Sequence, residues 1–231
     1  MVAAALSVVV AYNNVINRWR PFHGWSYVPV NLAFAGSLTA IAAATLDLSG
    51  AELGLRADLG DVVFPLGAVA VFAIVVFVIA SSRQAHRIAD RRVAGMHGAG
   101  LAFYTLVRIP LGTALTEELL FRGVLFAAWR DAGASDLAAA LWASAAFGLW
   151  HISPTVIGLR KNDPAVSVAT MRVAVAGAVL LTTVAGLGLT WLRVDRESLL
   201  GPIVLHAGIN SIGALAAVVA GWQVTGTQAR T

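Results

Sequence analysis

An all-α fold, a polytopic bundle of about seven transmembrane helices with six to eight possible, is predicted by three features of the sequence. Of 231 residues, 58% are hydrophobic and only 12% charged, against about 25% charged in an ordinary soluble domain. The apolar residues gather into stretches approaching the ~20 residues that cross a bilayer. Between the stretches the loops alternate in sign: Arg18 and Arg20, then Asp47, Glu52, Asp58 and Asp61, then Arg83, Arg87, Arg91 and Arg92.

Taken in order, the first stretch is Val2 to Ile16. No basic leader precedes it and no small-residue cleavage signature follows, so it reads as a short first span rather than a removable signal. Val28 to Leu46 and Val62 to Ser81 follow as simple spans. The fourth, Leu101 to Trp129, is too long for one straight crossing and contains Arg108 and Pro110. It is expected to break there, with a new helix beginning near Leu111 and Glu117 in that helix's second turn. Leu137 to Ile152, Val168 to Leu192 and Leu199 to Trp222 complete the set, and Pro202 is expected to loosen backbone bonding in the last.

The later loops carry mixed Arg130, Asp131 and Asp136, then Arg160 and Lys161, then a balanced Arg193, Asp195, Arg196 and Glu197. The positive-inside bias makes this a multi-pass protein of the cell membrane with its N-terminus outside and its C-terminus cytoplasmic. The basic stretch Arg83 to His97 is either an amphipathic helix on anionic lipid or a plain loop. Residues 1–231 form one integral membrane domain, with the chemistry concentrated in residues 111–222. Cysteine is absent, which excludes disulfides and thiolate metal sites. The net charge of +4 arises mainly from arginines between apolar stretches, so the expected partner is the lipid bilayer and not nucleic acid.

Inside the spans lie Glu117, Glu118, Arg122, His151, His206 and Asn210, where each ionisable group costs about 2.5–3.5 kcal/mol on insertion scales. Glu118 and Arg122, Phe147 and His151, and His206 and Asn210 are each four residues apart, so each pair shares a helix face. Glu118 before Arg122 is the favourable order for an ion pair, which gives the two either a supporting or a purely neutralising role. Glu117 points about 100° away around the helix and must find a partner on another helix. His151 and His206 are available, each readable also as a satisfied core histidine. A carboxylate and an imidazole meeting on one water would make a nucleophile. The Asn210 amide beside His206 would donate to an oxyanion, or else bond between helices.

These residues stand in TALTEELLFRG (Thr113 to Gly123), AFGLWH (Ala146 to His151) and LLGPIVLHAGIN (Leu199 to Asn210). The three segments resemble the EExxxR, FxxxH and HxxxN signatures, in order, of the CAAX-prenyl protease and bacteriocin-processing family, also called CPBP or Abi. The resemblance covers roughly the C-terminal half; the N-terminal spans are recognisable only as apolar. It implies an all-helical intramembrane endopeptidase acting on a membrane-associated protein or peptide. It further implies that Glu117 and His151 activate water, that His206 and Asn210 stabilise the oxyanion, and that Glu118 and Arg122 support the site. Phe147 enters as the aromatic member of its signature.

No cofactor is expected. The alternative is Zn held by Glu117, His151 and His206, a two-His, one-carboxylate set; the absence of HExxH favours water activation without metal. No G-x-S-x-G elbow occurs, and the single Gly-Asp pair, Gly60 and Asp61, lies at a span edge, so serine and aspartate intramembrane chemistries are excluded. Two rival functions use the same residues. A proton-coupled transporter would string them along a path across the membrane, and a non-catalytic immunity or scaffold protein would survive loss of Glu117.

Overall fold

The computed structural model describes residues 2–14 and 24–228. Among them the chain forms eight helices: α1 (Val2–Asn14), α2 (Tyr27–Leu46), α3 (Val63–Ala80), α4 (Gly98–Asp131), α5 (Asp136–Trp150), α6 (Ile152–Asn162), α7 (Val168–Arg196) and α8 (Leu200–Gln228). The apolar stretches read from the sequence correspond to seven of them, and α6 is the addition. Five helices are long and apolar enough to cross a membrane, those within Gly24–Leu46, Leu59–Ala80, Gly98–Asp131, Val168–Arg196 and Leu200–Val224. At 13 and 15 residues, α1 and α5 are shorter. Large apolar side chains such as Val71, Ile74 and Val78 of α3 and Leu180, Leu181 and Val184 of α7 stand exposed on the outer surface. A belt of this kind is stable against acyl chains and not against water. The chain is thus a multi-pass membrane protein.

Pro110 does not break α4, contrary to the expectation from sequence. The helix runs unbroken from Gly98 to Asp131 because residues Tyr104–Leu115 and Leu119–Leu125 are wound as π-helix, with Thr116–Glu118 as α-helix between them. Wider turns with i→i+5 bonding accommodate a proline that an α-helix interior would reject. Glu117 therefore lies deep within a long helix, not in the second turn of a new one. Pro202 also differs from expectation: it stands in the first turn of α8, where its missing N–H is no loss. The stretch Arg83 to His97 is a loop with one short 3-10 turn, Ala85–Arg87, rather than an amphipathic helix.

Small residues let the helices approach closely, as expected where lipid supplies no hydrophobic drive. A Cβ on Gly208 of α8 would run into Val69 of α3. A Cβ on Gly148 of α5 would strike Thr183 Oγ1 and stand 2.7 Å from the carbonyl oxygen of Val179 on α7. Because the second obstacle is backbone, Gly148→Ala is expected to force α5 and α7 apart at a cost of about 1–3 kcal/mol. Thermal unfolding in detergent should fall by several degrees, and an unchanged midpoint would contradict this packing.

The loops sort to two ends. Asp90 in the α3–α4 loop accepts from Asn162 at the end of α6 (3.0 Å), and the backbone N–H of Arg91 donates to Asn162 (2.9 Å). At the opposite end Arg193 donates to the carbonyls of Ala51 and Glu52 (3.2 and 2.7 Å), while Leu55 pairs with Ser198. The basic α3–α4 loop and the last turn of α6, which carries Arg160 and Lys161, therefore share one end, and the acidic α2–α3 loop faces the other.

Candidate active site

The centre of the bundle is built from α4, α5 and α8. Glu117, Glu118, Arg122 and His206 are 6%, 0%, 0% and 7% exposed, a burial that ionisable groups tolerate only with partners. Arg122 Nη1 donates to Glu118 Oε1 at 3.0 Å, the ion pair foreseen from their spacing. His206 Nδ1 lies 2.7 Å from the same Oε1, so one carboxylate oxygen serves both. Arg122 Nη2 donates to the Gly186 carbonyl at 3.1 Å, a contact open because position 186 carries no side chain.

Phe147 holds these groups in register. The Arg122 guanidinium lies 4.2 Å from its ring centroid, and the rings of His151 and His206 meet it edge-on at 4.6 and 5.8 Å. One aromatic face thus serves a cation while its surroundings pin both imidazoles. The four-residue step from Phe147 to His151 also matters through the backbone. His151 Nδ1 lies 2.8 Å from the Phe147 carbonyl, which only accepts, so in the neutral ring Nδ1 carries the hydrogen and Nε2 presents its lone pair.

Glu117 finds its partner in Trp150, whose Nε1–H donates to Oε1 at 3.0 Å. Its second oxygen, Oε2, is buried without a hydrogen bond and stands 3.7 Å from His206 Nε2, beyond hydrogen-bonding distance. The result is a carboxylate with one oxygen fixed and the other buried without a hydrogen bond.

Glu117, His151 and Asn210 line a common cavity of about 800 Å³, within the range that holds ligands. His206 stands behind Glu117 in its wall, and Glu118, Arg122 and Phe147 lie deeper still. The cavity extends between α6 and the α3–α4 loop to Arg87, Arg92 and Asn162. There Arg92 pairs with Asp90 at 2.6 Å. Burial opposes ionisation of Asp90, but hydrogen bonds from Arg92 and Asn162 outweigh it and hold the carboxyl below its ordinary range. This tie at the mouth therefore persists through the ordinary carboxylate range and is lost only as pH falls through the lowered value.

Several contributors were not foreseen. Trp150 adjoins the motif histidine and carries no charge that would single it out in the sequence. Asn13 of α1 donates to the Trp150 carbonyl at 2.7 Å and lines the cavity. Tyr27 of α2 bonds Thr113 Oγ1 at 3.2 Å, and both also line it. Isolated polar residues in N-terminal apolar stretches were the available signal. Among the described residues no three His, Asp or Glu side chains are arranged to hold a metal ion.

Residues 99–212 match the family model described as type II CAAX prenyl endopeptidase, Rce1-like. No curated protein and no solved structure matches the chain.

Proposed function

Because residues 99–212 carry the domain of the Rce1-like type II CAAX prenyl endopeptidases and the chain belongs to that family, we propose that it hydrolyses a peptide bond of a membrane-associated protein or peptide, with Glu117 and His151 activating water. The observation that carries this reading is the shared cavity, which Glu117, His151 and Asn210 line together.

In the proposed chemistry a water lies between Glu117 Oε2 and His151 Nε2. As its oxygen bonds to the scissile carbonyl carbon, one of its protons passes to this pair, and the carbonyl oxygen becomes an oxyanion. Asn210 donates an amide N–H to that oxygen. His206 engages Glu118 through Nδ1, so it can donate to the oxyanion only from Nε2 and only as imidazolium. The carbon–nitrogen bond then breaks, the held proton goes to the departing amine, and a carboxylic acid and an amine remain. Glu118, Arg122 and Phe147 position His206 and His151 and touch no reacting atom.

The gathering of Glu117, His151 and Asn210 in one cavity favours hydrolysis over proton-coupled transport, which would need them spread along a path. The N-terminus is assigned to the outside and the C-terminus to the cytoplasm, with the basic α3–α4 loop cytoplasmic; the cavity mouth then opens towards that side.

No step is routed through a metal, since the candidate ligands Glu117, His151 and His206 are not arranged as a ligand group. The test is cleavage of a prenylated CAAX reporter peptide by the purified protein in lipid nanodiscs, followed by mass spectrometry with and without a strong chelator. Cleavage that persists in chelator is expected. Loss in chelator with recovery on adding Zn would replace the metal-free scheme, and no cleavage in either condition would overturn the hydrolytic reading.

A further inference from the structure

The helix α1 lies outside residues 99–212, yet it reaches the cavity that Glu117 lines. Asn13, buried near the end of α1, donates from its side-chain amide to the carbonyl of Trp150 at 2.7 Å. Trp150 is the last residue of α5, and the residue four places on, Pro154, has no N–H to offer that carbonyl. A buried acceptor left bare there would be costly, so the bond from α1 fixes where α5 ends.

The oxygen that Asn13 grips belongs to the peptide unit joining Trp150 to His151. On one side of it stands the indole whose Nε1–H donates to Glu117 Oε1 at 3.0 Å. On the other stands the histidine that lines the same cavity. The indole is itself clamped, buried and meeting the Phe121 ring edge-on at 5.4 Å. The neighbouring residue on α1, Tyr12, donates to Asn31 Oδ1 at 2.9 Å, and Asn31 donates to the Tyr27 carbonyl at 2.8 Å. Two adjacent residues of α1 thus hold α5 and α2, and α2 is tied in turn to α4 through Tyr27 and Thr113. Hydrogen bonds are directional where apolar packing is not, so these ties fix register as well as contact.

We infer that Asn13 and Trp150 are positioning residues for the hydrolytic reaction. The Trp150 indole orients the Glu117 carboxylate, and Asn13 sets the peptide unit from which both the indole and the His151 ring are carried. Neither touches a reacting atom. The terminal torsion of a glutamate is broad, and one N–H fixed on Oε1 selects a single orientation from that range. Misplacing a reacting group by about 1 Å can cost about 10²-fold in rate. The substrate would still bind, so the signature is a fall in kcat at constant KM.

The inference rests on the hydrolytic reading, and the test keeps the two apart. Trp150 is replaced by benzothienylalanine through stop-codon suppression, which keeps the bicyclic shape and puts sulfur in place of the N–H. Cleavage of the prenylated CAAX reporter in nanodiscs and thermal unfolding are then compared with wild type. The kcat is expected to fall about ten- to a hundred-fold, the scale of one hydrogen bond to a charged group. KM should stay within about two-fold, and the melting midpoint should not move. Asn13→Leu, which keeps bulk and removes the donor, is expected to lower kcat in the same manner, and Asn13→Gln, which keeps an amide, to recover part of it. With positions 13 and 150 both changed, the loss should be smaller than the product of the two single losses, because the residues act along one chain of contacts.

Wild-type cleavage with an unchanged kcat in the benzothienylalanine variant leaves hydrolysis standing and overturns the inference. A rise in KM alone also overturns it, by making Trp150 a substrate contact. So does a melting midpoint that falls in step with kcat, which would make Trp150 packing. Fully multiplicative losses would sever Asn13 from Trp150 and overturn the joint role. Failure of the wild-type protein to cleave removes the hydrolytic reading and this role together.

Discussion

Glu117→Gln is expected to abolish peptide-bond cleavage, with a fall of about 10²–10⁴-fold or more, the range associated with losing a positioned acid–base group. The amide is nearly isosteric and its oxygen can still accept from Trp150, as Glu117 Oε1 does at 3.0 Å. The variant should therefore insert, fold and melt close to wild type. What it loses is the basic Oε2, which has no other partner to satisfy. Cleavage of the reporter and thermal unfolding, measured on one preparation, give the two halves of this result. Undiminished turnover would remove Glu117 from the chemistry, and a collapsed melting temperature would recast it as structural. Full cellular function in this variant would favour an immunity or scaffold role.

Arg122→Ala is expected to act in the opposite way, through stability. Arg122 and Glu118 are both 0% exposed and 3.0 Å apart, and removing one member of a buried pair costs about 3–5 kcal/mol because the other charge is stranded. The guanidinium also fills the space between Phe147 and Gly186, so packing is lost along with charge. Yield and melting temperature should both drop. Adding Glu118→Gln should recover part of the stability, since the stranded charge is gone, and the two substitutions should be non-additive. A double variant no more stable than Arg122→Ala would mean that packing, and not the charge pair, dominates. Activity is not expected to return, because Glu118 also holds His206 at 2.7 Å.

The buried cluster of Glu117, Glu118, Arg122 and His206 was legible in the sequence because ionisable residues at membrane depth are few and each needs a reason. Spacing four apart correctly paired Glu118 with Arg122 and placed Phe147 with His151. It also led to the inference that Glu117 must look to another helix. Which helix partner it finds was hidden: an indole N–H carries no charge and scores as apolar, so Trp150 left no mark. The unbroken α4 was hidden for a related reason. Proline is read as a stop because an α-helix rejects it, and no pattern in Tyr104–Leu115 announces that the backbone will widen instead. The first two helices contribute Asn13 and Tyr27 through single hydrogen bonds between distant residues, which periodicity along one segment does not reveal.

The oxygen that Glu118 shares between Arg122 and His206 ties the electrical state of the whole cluster to one proton. Two carboxylates against one guanidinium leave a single negative charge when the imidazole is neutral, and none when it is protonated. A proton on the imidazole would thus be counted against the pair of carboxylates while Nδ1 stays beside Glu118. A turnover cycle that borrows a proton from water and returns it to an amine would draw on this reserve, so cleavage in heavy water should slow whenever proton movement, rather than substrate arrival, limits the rate.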